Sequence, residues 1–537
     1  MVKQTAKRII ILAMTAFLIL LAGCTTKTNQ PEVNSEITKD ELLLAVGAEP
    51  DDGFDPTTGW GRYGSPMFQS TLLKRDSEMK IVNDLAESYH VTKDGLQWTV
   101  KLREDVKFSD GTPLTAADVV FTFEMAATNG SILDLTNMLK VEAAGQYEVI
   151  FTLKTAQSTF ITLLTSLGIV PKHAYNEEYA QQPIGSGPYK LVQWDRGQQA
   201  ILSYNEQYYG EEPYFKRLTF LFLSEDAAFA AAKSGEIDIA YIPSAFSKQN
   251  VKGMKLEAVK SVDNRGIQFP VVEPGEQTDK GYPIGNAVTA DLTIRQAVNY
   301  VIDRQALVNG LLEGYGSPAY TVNDGLPWWN PETVFQDADS AKAAKLLEEG
   351  GWIDEDGDGI VEKDGVKAQF TLLYSAGDVT RQSLALAVAD MVKPIGIEIT
   401  VEGKSWDDLE KLMYSNAIMF GWGSQDPLEM YNLHSSKYRG IGYYNTGYYS
   451  NKTTDEWMEQ ALRATNEEDA NDNWKKAQWD GNTGFSVQGD APWAWLVNID
   501  HLYLVHDKLD IGNQKIHPHG HGWPVTDNIE QWRWVND

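Results

Sequence analysis

Residues 102–119 read LREDVKFSDGTPLTAADV and contain a strand end, a tight turn and a helix start in succession. The residues at 98–102 alternate between apolar and polar side chains, which is typical of a half-buried strand. The turn is predicted at 109–113, where Asp, Gly and Pro occur together. Thr115 is a candidate N-cap, and Asp118 completes a capping box three residues later. The segment therefore predicts a strand–turn–helix unit.

Strand and helix patterns alternate along the rest of the chain. Apolar runs of strand length occur at residues 42–46 and 149–153, and helical patterns occur at 227–232, 294–312 and 341–349. Strands that alternate with helices are typical of α/β proteins with mixed sheets. At 537 residues the chain is too long for one hydrophobic core, so we expect two or three lobes.

The composition limits the class of partner. The net charge of −29 disfavours binding to nucleic acid and to anionic lipid headgroups. The 16 Trp and 24 Tyr residues are numerous enough to line a ligand cleft, although a large aromatic core accounts for most of them. A single cysteine leaves no thiol pair for a disulfide, so stability must come from packing.

The N-terminus has the pattern of a secretory signal that ends at a cysteine. A basic start precedes an apolar run over residues 9–21, and Leu-Ala-Gly-Cys follows. This run is too short to span a bilayer, so we predict a signal peptide over residues 1–23. The cleavage site resembles a bacterial lipobox, which implies lipidation of Cys24, a flexible tether over 24–40 and a membrane-anchored, extracytoplasmic protein. The alternative is a plain signal peptide with an unrelated cysteine.

Five sequence markers occur in the order in which one protein family carries them. They are LAESY at 85–89, the segment at 102–119, IVPKH at 169–173, GSGPY at 185–189, and IRQA with IDR within 294–304. Together they resemble the extracellular solute-binding proteins of ABC importers, the peptide/nickel type called family 5. The similarity extends over nearly the whole chain after the tether.

The resemblance implies a two-lobed α/β fold of the periplasmic-binding-protein type (type II), with an extra subdomain in the first lobe. We expect lobe I at residues 41–265 with the subdomain at about 78–182, lobe II at 266–497, and a return to lobe I at 498–537. In this family the lobes close on a ligand, and the closed form is presented to a membrane permease.

Binding without catalysis is the role that follows from the resemblance. The sequence contains no H-E-x-x-H, G-x-S-x-G or phosphate-binding loop, so no enzymatic motif competes with this interpretation. We therefore expect a protein that is not an enzyme.

The segment FGWGSQDP, residues 420–427, matches a part of the family that faces the cleft. The resemblance implies that Trp422 packs against a chelate and that Asp426 pairs with an ammonium group of the ligand. The alternative is that Asp426 caps a turn before Pro427 and that Trp422 belongs to the core.

The segment TGWGRYG, residues 58–64, follows the first strand, where family members place a cleft-lining loop. It contributes Trp60, Arg62 and Tyr63 as candidate ligand-binding residues. The guanidinium of Arg62 suits a forked contact with a carboxylate. A solvated surface arginine is the alternative.

The segment IHPHGHGW, residues 516–523, is the candidate for metal binding. His517, His519 and His521 alternate along the chain, and such residues share one face of an extended segment. Neutral imidazole is a good ligand for nickel, copper and zinc. The arginine clamps of the better-known nickel binders are absent at the matching positions, so we expect these histidines to hold the chelate. The alternative is a histidine loop that bonds to the backbone or has adventitious metal affinity.

An acidic turn at residues 354–359 starts like a calcium-binding loop. Asp354, Asp356 and Asp358 supply oxygens at positions one, three and five, but Gly365 stands where a bidentate glutamate is required. The pattern favours an acidic turn over a calcium site, and no resident cofactor is expected.

These observations lead to one functional hypothesis and one alternative. The hypothesis is a lipid-anchored receptor of an ABC importer that captures nickel, or a related transition metal, as a small organic chelate. The alternative is an oligopeptide- or dipeptide-binding receptor. In either case we expect a monomer whose partner is a membrane permease, on a Gram-positive surface or in a Gram-negative periplasm.

Overall fold

The computed structural model describes residues 40–129 and 133–535. The predicted signal peptide, the predicted lipidation site at Cys24 and the tether up to residue 39 lie outside these residues. Among the described residues, no helix combines the length and the apolar character needed to cross a bilayer.

The strands of the described residues follow in chain order. They are β1 (Glu41–Ala45), β2 (Leu73–Arg75), β3 (Ile81–Asn83), β4 (Ala86–Val91), β5 (Gln97–Leu102), β6 (Met138–Ala143), β7 (Glu148–Leu153), β8 (Tyr189–Asp195), β9 (Gln199–Tyr204), β10 (Arg217–Leu221), β11 (Ile239–Ile242), β12 (Met254–Val259), β13 (Asn264–Gln268), β14 (Glu276–Gln277), β15 (Pro283–Ile284), β16 (Gly316–Pro318), β17 (Glu362–Lys363), β18 (Val366–Lys367), β19 (Gln369–Ser375), β20 (Glu398–Lys404), β21 (Ala417–Trp422), β22 (Trp493–Ile499), β23 (His501–His506), β24 (Leu509–Asp510) and β25 (Arg533–Trp534).

The α-helices of the described residues are α1 (Ala116–Thr128), α2 (Phe160–Ser166), α3 (Glu225–Ser234), α4 (Leu292–Val301), α5 (Arg304–Leu311), α6 (Ser340–Glu349), α7 (Val379–Val392), α8 (Trp406–Leu412), α9 (Leu428–His434), α10 (Lys452–Arg463) and α11 (Glu467–Gln478). Short 3₁₀ helices lie at Pro56–Thr58, Ser244–Phe246, Pro331–Thr333, Lys393–Ile395, Ser436–Tyr438 and Pro524–Gln531. The mixture of sheets and helices confirms the predicted α/β class.

Lobe I, as the name is used below, is built on a seven-stranded sheet in the order β12-β23-β11-β1-β10-β9-β8. The apolar strand β1 pairs in parallel with both β10 and β11. Leu42 and Leu44 point into its core and are fully buried, which is why this run forms an interior strand. The late strand β23 inserts antiparallel between β11 and β12, so the C-terminal part of the chain completes this sheet.

A four-stranded antiparallel sheet, in the order β4-β5-β7-β6, shares one hydrophobic core with α1 and α2. This unit is counted with lobe I below. The predicted strand–turn–helix unit is confirmed here, because β5 leads through a turn into α1. The Thr115 backbone N–H donates to the Asp118 carboxylate at 2.9 Å, which is one half of the capping box. The motif therefore defines a local unit of this sheet.

Lobe II is built on a six-stranded sheet in the order β16-β22-β13-β21-β19-β20. Two arginines of the family markers lie inside it and bind backbone. Arg295 donates to Thr289 O and Ala290 O at 2.7 Å each. Arg304 is fully buried and donates to Trp495 O at 2.7 Å and Ala319 O at 3.0 Å. These markers hold the framework of lobe II and do not face a ligand.

The chain passes between the two sheets at two neighbouring places. Strand β12 of lobe I leads into β13 of lobe II, and β22 of lobe II leads into β23 of lobe I. Strands β13 and β22 pair directly, with Asn264 opposite Asn498. Lys260 and Asp500, which stand at the two connections, form an ion pair at 2.8 Å. Because the connections are adjacent, they can act together as a hinge.

Candidate functional site

A cavity of about 290 Å³ lies between the lobes. Lobe I lines it with the loop at 61–64 and with α2, and lobe II lines it with residues 421–426 and the first turn of α9. A second cavity of about 550 Å³ is lined by lobe I around the end of β1. The two cavities share Arg62, Tyr63 and His521 as wall residues, so they adjoin.

The loop at 59–65 holds two of the predicted residues toward the cavities. Trp60 anchors it, because its indole N–H donates to Pro66 O at 2.7 Å and its ring packs against Trp523 at 5.1 Å. Arg62 lies over the ring of Tyr63 at 4.9 Å. The far end is held by Asp527, which accepts from the Ser65 backbone N–H and pairs with Lys515 at 2.5 Å. The structure thus brings Trp60, Arg62 and Tyr63 together.

Two carboxylates enter the 290 Å³ cavity from lobe II. Asp426 and Glu429 face the cavity and are half-buried. Burial raises the pKa of the Asp426 carboxyl to about 6, although a hydrogen bond from Leu428 N and the charge of Arg75 act against it. Burial raises the pKa of the Glu429 carboxyl to about 7, against hydrogen bonds from Ser424 N and Gly423 N. In the part of the chain that the structure describes, neither carboxylate has an ion-pair partner within 4.0 Å.

Trp422 forms an aromatic wall of the same cavity. Its ring stacks on Tyr444 with centroids 5.5 Å apart and an interplanar angle of 25°. Its indole N–H is buried and has no hydrogen-bond partner among the described residues, and the same holds for the side-chain oxygen of Asn432. Unpartnered buried polar atoms are costly, so these two groups favour a polar ligand in the cavity.

The three histidines of the C-terminal loop do not come together. His517 is fully buried, lines neither cavity and places its Nδ1 3.1 Å from Nδ1 of His501. His519 pairs with Asp263, which also binds Arg265 at 2.5 Å. His521 lines both cavities, with its ring 4.9 Å from that of His519.

The separation of the histidines has a backbone cause. His517 forms a bridge with Ser261 and faces the core of lobe I. The His521 backbone N–H then bonds to His519 O at 2.6 Å, a tight turn that ends the extended conformation. Alternate residues share a face only while the chain stays extended.

The acidic turn is the one group of metal-ligating side chains that meets the geometric requirement within the described ranges. Asp354, Asp356, Asp358 and Glu362 place ligand atoms within 4.8 Å of one another. Glu362 thus supplies a carboxylate to the turn, although Gly365 stands at the loop position where a calcium site requires one. The Lys367 ammonium lies 2.9 Å from Asp356 and also contacts Asp358, so a lysine offsets part of the negative charge of the turn.

Sequence reasoning missed several residues of the site. Glu429 lies three residues after Asp426, in the first turn of α9. This spacing could have indicated from the sequence that the two carboxylates lie close together. Arg75 and Lys515 also line the 290 Å³ cavity. No local pattern marks these two, because β2 and the C-terminal loop meet the cleft only in the folded chain.

Comparison with known proteins gives a consistent family. The model of "Bacterial extracellular solute-binding proteins, family 5 Middle" matches residues 80–444. Protein XP55 of Streptomyces lividans is 32% identical over 519 residues, covering 93% of this chain and 91% of that protein.

Two solved structures are similar over almost their full length. NikZ from Campylobacter jejuni, in complex with Ni(L-His), has a TM-score of 0.73 at 26% identity, covering 92% of this chain and 99% of NikZ. The oligopeptide-binding protein AppA from Bacillus subtilis, in complex with a nonapeptide, has a TM-score of 0.66 at 27% identity, covering 93% of this chain and 99% of AppA.

Proposed function

The chain belongs to family 5 of the bacterial extracellular solute-binding proteins, and we propose that its cargo is a short peptide with a free ammonium group. Its two-lobed fold and its role as the extracytoplasmic receptor of an ABC importer, not an enzyme, follow from this membership. The observation that carries the proposal is that two carboxylates between the lobes, Asp426 and Glu429, have no ion-pair partner among the described residues.

Charge in the cavity supports a peptide. A buried carboxylate with a raised pKa gains most from a cation that arrives with the ligand, because the ion pair offsets its lost hydration. Arg62 has no ion-pair partner within 4.0 Å among the described residues and suits a carboxylate. A zwitterionic peptide can pair its ammonium group with Asp426 or Glu429 and its carboxylate with Arg62. The adjoining 550 Å³ cavity leaves room for further residues of the peptide.

The test is calorimetric titration with trialanine and with N-acetyl-trialanine. We expect binding of the free peptide and at least about tenfold weaker binding of the acetylated one, because an ion pair to a buried carboxylate is lost. Asp426→Asn should weaken binding of trialanine but not of its acetylated form. Asp407→Asn, an exposed first-turn aspartate of α8, is the matched control. Equal affinity for the two peptides would contradict the proposal.

A metal chelate is the second candidate, and one observation favours it. His519 and His521 line the same cavity as Trp422, with rings 4.9 Å apart, and NikZ is a structural relative in complex with Ni(L-His). His517 faces His501, so in this candidate it acts by positioning the loop. Titration with Ni²⁺ and L-histidine should show binding that His519→Ala and His521→Ala remove. Binding that survives both substitutions would exclude these histidines as metal ligands, and no binding by the unsubstituted protein would leave the peptide as cargo.

We also propose that the protein is a monomer anchored through a lipid on Cys24. The anchor is proposed from the signal pattern, because residue 24 lies outside the described part of the chain. Mass spectrometry of the membrane fraction should detect a diacylglyceryl group on this cysteine. Cys24→Ala should release the protein from membranes. A variant that stays membrane-bound would contradict the anchor.

A further inference from the structure

The lobes make a second contact, outside the ligand cavity, which we call the seam. Ser158 precedes α2 on the lobe I side, and its backbone N–H donates to Leu462 O at 2.7 Å. Its hydroxyl donates to Ala461 O at 2.8 Å. Both acceptors belong to the last turn of α10 in lobe II, where Ala461 O also accepts from the Ala464 backbone N–H at 3.3 Å. Ser158 therefore caps a helix of the opposite lobe.

Arg75 crosses the same seam. Its side chain is 5% exposed, and its Nη1 lies 3.6 Å from Glu467 at the start of α11. The guanidinium also lies 5.6 Å from the centre of the Trp328 ring, another residue of lobe II. Because Arg75 lines the ligand cavity as well, it connects the seam to the space that Asp426 faces.

The seam is incompletely packed. A cavity of about 50 Å³ remains in it, lined by Arg75, Trp98 and Trp474 among others. The Nε of Arg75 and the indole N–H groups of both tryptophans are buried without hydrogen-bond partners in the described residues. Unmet donors cost free energy, so this contact offers a weak attraction that a ligand must supplement.

We propose that Ser158 and Arg75 form a clasp that sets the affinity of the receptor without recognising the chemistry of its cargo. The closed state contains both the ligand contacts and the clasp. Any loss of the clasp shifts the lobes toward the open state and lowers the affinity for all ligands by one common factor. The proposal rests on the receptor role and not on whether the cargo is a peptide or a chelate.

The first test needs no ligand. In the unliganded mature protein, Ser158→Ala and Glu467→Gln should each speed hydrogen exchange of the residue 158 amide. The increase should be up to about fivefold for the hydrogen bond lost in Ser158→Ala and smaller for the 3.6 Å ion pair lost in Glu467→Gln. Glu467 does not line the ligand cavity, so its variant can reach the ligand contacts only through Arg75, whereas Ser158 pairs with neither residue. The matched control is Ser234→Ala, since the Ser234 hydroxyl bonds to Ala231 O at 3.0 Å within α3, away from the seam.

The second test compares two ligands. The dissociation rates of trialanine and of Ni²⁺ with L-histidine should rise in both seam variants for whichever probe binds, by up to about fivefold in Ser158→Ala and by less in Glu467→Gln, and stay unchanged in the control. If both seam variants match the control in exchange and in dissociation, the clasp is wrong. It is also wrong if both probes bind and the effect is confined to one. If neither probe binds, the proposed cargo fails while the exchange measurement still decides the clasp.

Discussion

At the scale of single residues, the site depends on what surrounds each charged group. Glu429 accepts hydrogen bonds from Gly423 N and Ser424 N, yet burial outweighs them and raises its pKa. Asp263, also buried, shows the opposite balance. Burial acts to raise the pKa of Asp263, but the charges of Arg265 and His519 hold it well below its usual range. Asp263 is therefore already paired with cations of the protein, whereas Glu429 has no such ion pair within the described residues and remains available to a cation of the ligand.

The raised pKa values predict a pH dependence of binding. Asp426 and Glu429 have pKa values of about 6 and about 7, so both ionise as pH rises from 5 to 8. Affinity for an ammonium-bearing peptide should rise over this range and then level off. Calorimetry from pH 5 to 8 checks this, and Glu429→Gln should remove the upper part of the rise. A flat profile in the unsubstituted protein would exclude these carboxylates as the ammonium site.

The same pKa shifts affect stability in the opposite direction: ligand affinity should rise with pH, whereas the free energy of unfolding should fall. A carboxyl whose pKa is higher in the folded state binds more protons there than in the unfolded chain. Its stabilising contribution is present below the unfolded pKa and is lost as pH rises through the folded pKa. Without ligand, the free energy of unfolding should therefore fall between about pH 4.5 and 7 at these two sites. Denaturant titrations of Glu429→Gln should show a smaller fall.

At the scale of elements, the loop at 59–65 depends on close backbone packing. Gly61 has φ +87°, and a Cβ there would lie 2.7 Å from the Pro66 Cβ. A larger residue must therefore displace the turn that carries Arg62 and Tyr63. The glycines of this loop are needed for the placement of the ligand-facing side chains.

Gly61→Ala should lower ligand affinity, because the loop must shift as well as adopt an unfavourable φ. Gly111→Ala is a matched control, since Gly111 has φ +88° and nothing lies within 4 Å of the added Cβ. We expect both variants to lose about 1 kcal/mol of unfolding free energy from the φ strain. Only Gly61→Ala should weaken binding of trialanine. Equal binding by the two variants would show that the loop tolerates the displacement.

At the scale of the whole molecule, the two connections between the sheets are adjacent and the 290 Å³ cavity lies between the lobes. This arrangement allows closure by rotation about one region near Lys260 and Asp500. Arg75, Asp426 and Trp422 line one cavity between the lobes, so closure about this region would form ligand contacts and seam contacts together.

Ligand should therefore compact the molecule. Small-angle X-ray scattering with and without trialanine should show a smaller radius of gyration in the bound state, and the melting temperature should rise with ligand concentration. Lys260→Met, which removes the ion pair to Asp500, should alter the unliganded radius more than the bound one. Binding with no change in radius would show that the unliganded protein is already closed.

The sequence by itself determined the α/β class, the family, and the local units that depend on neighbours in the chain. The capping box of Thr115 and Asp118 and the turn before it follow from short-range hydrogen bonds and allowed backbone angles, which a pattern reveals. Trp422 and Asp426 were predicted from a segment that matches a cleft-facing part of the family, and Arg62 and Tyr63 from the loop after the first strand. All four line the 290 Å³ cavity. Only the tertiary structure decided which other residues lie beside them in the cavity. Arg75 and Lys515 join them across large sequence separations, and His517 turns away because a bridge to Ser261 buries it. Burial and long-range contacts arise when distant segments pack, and so they set pKa values and side-chain directions that no local pattern contains.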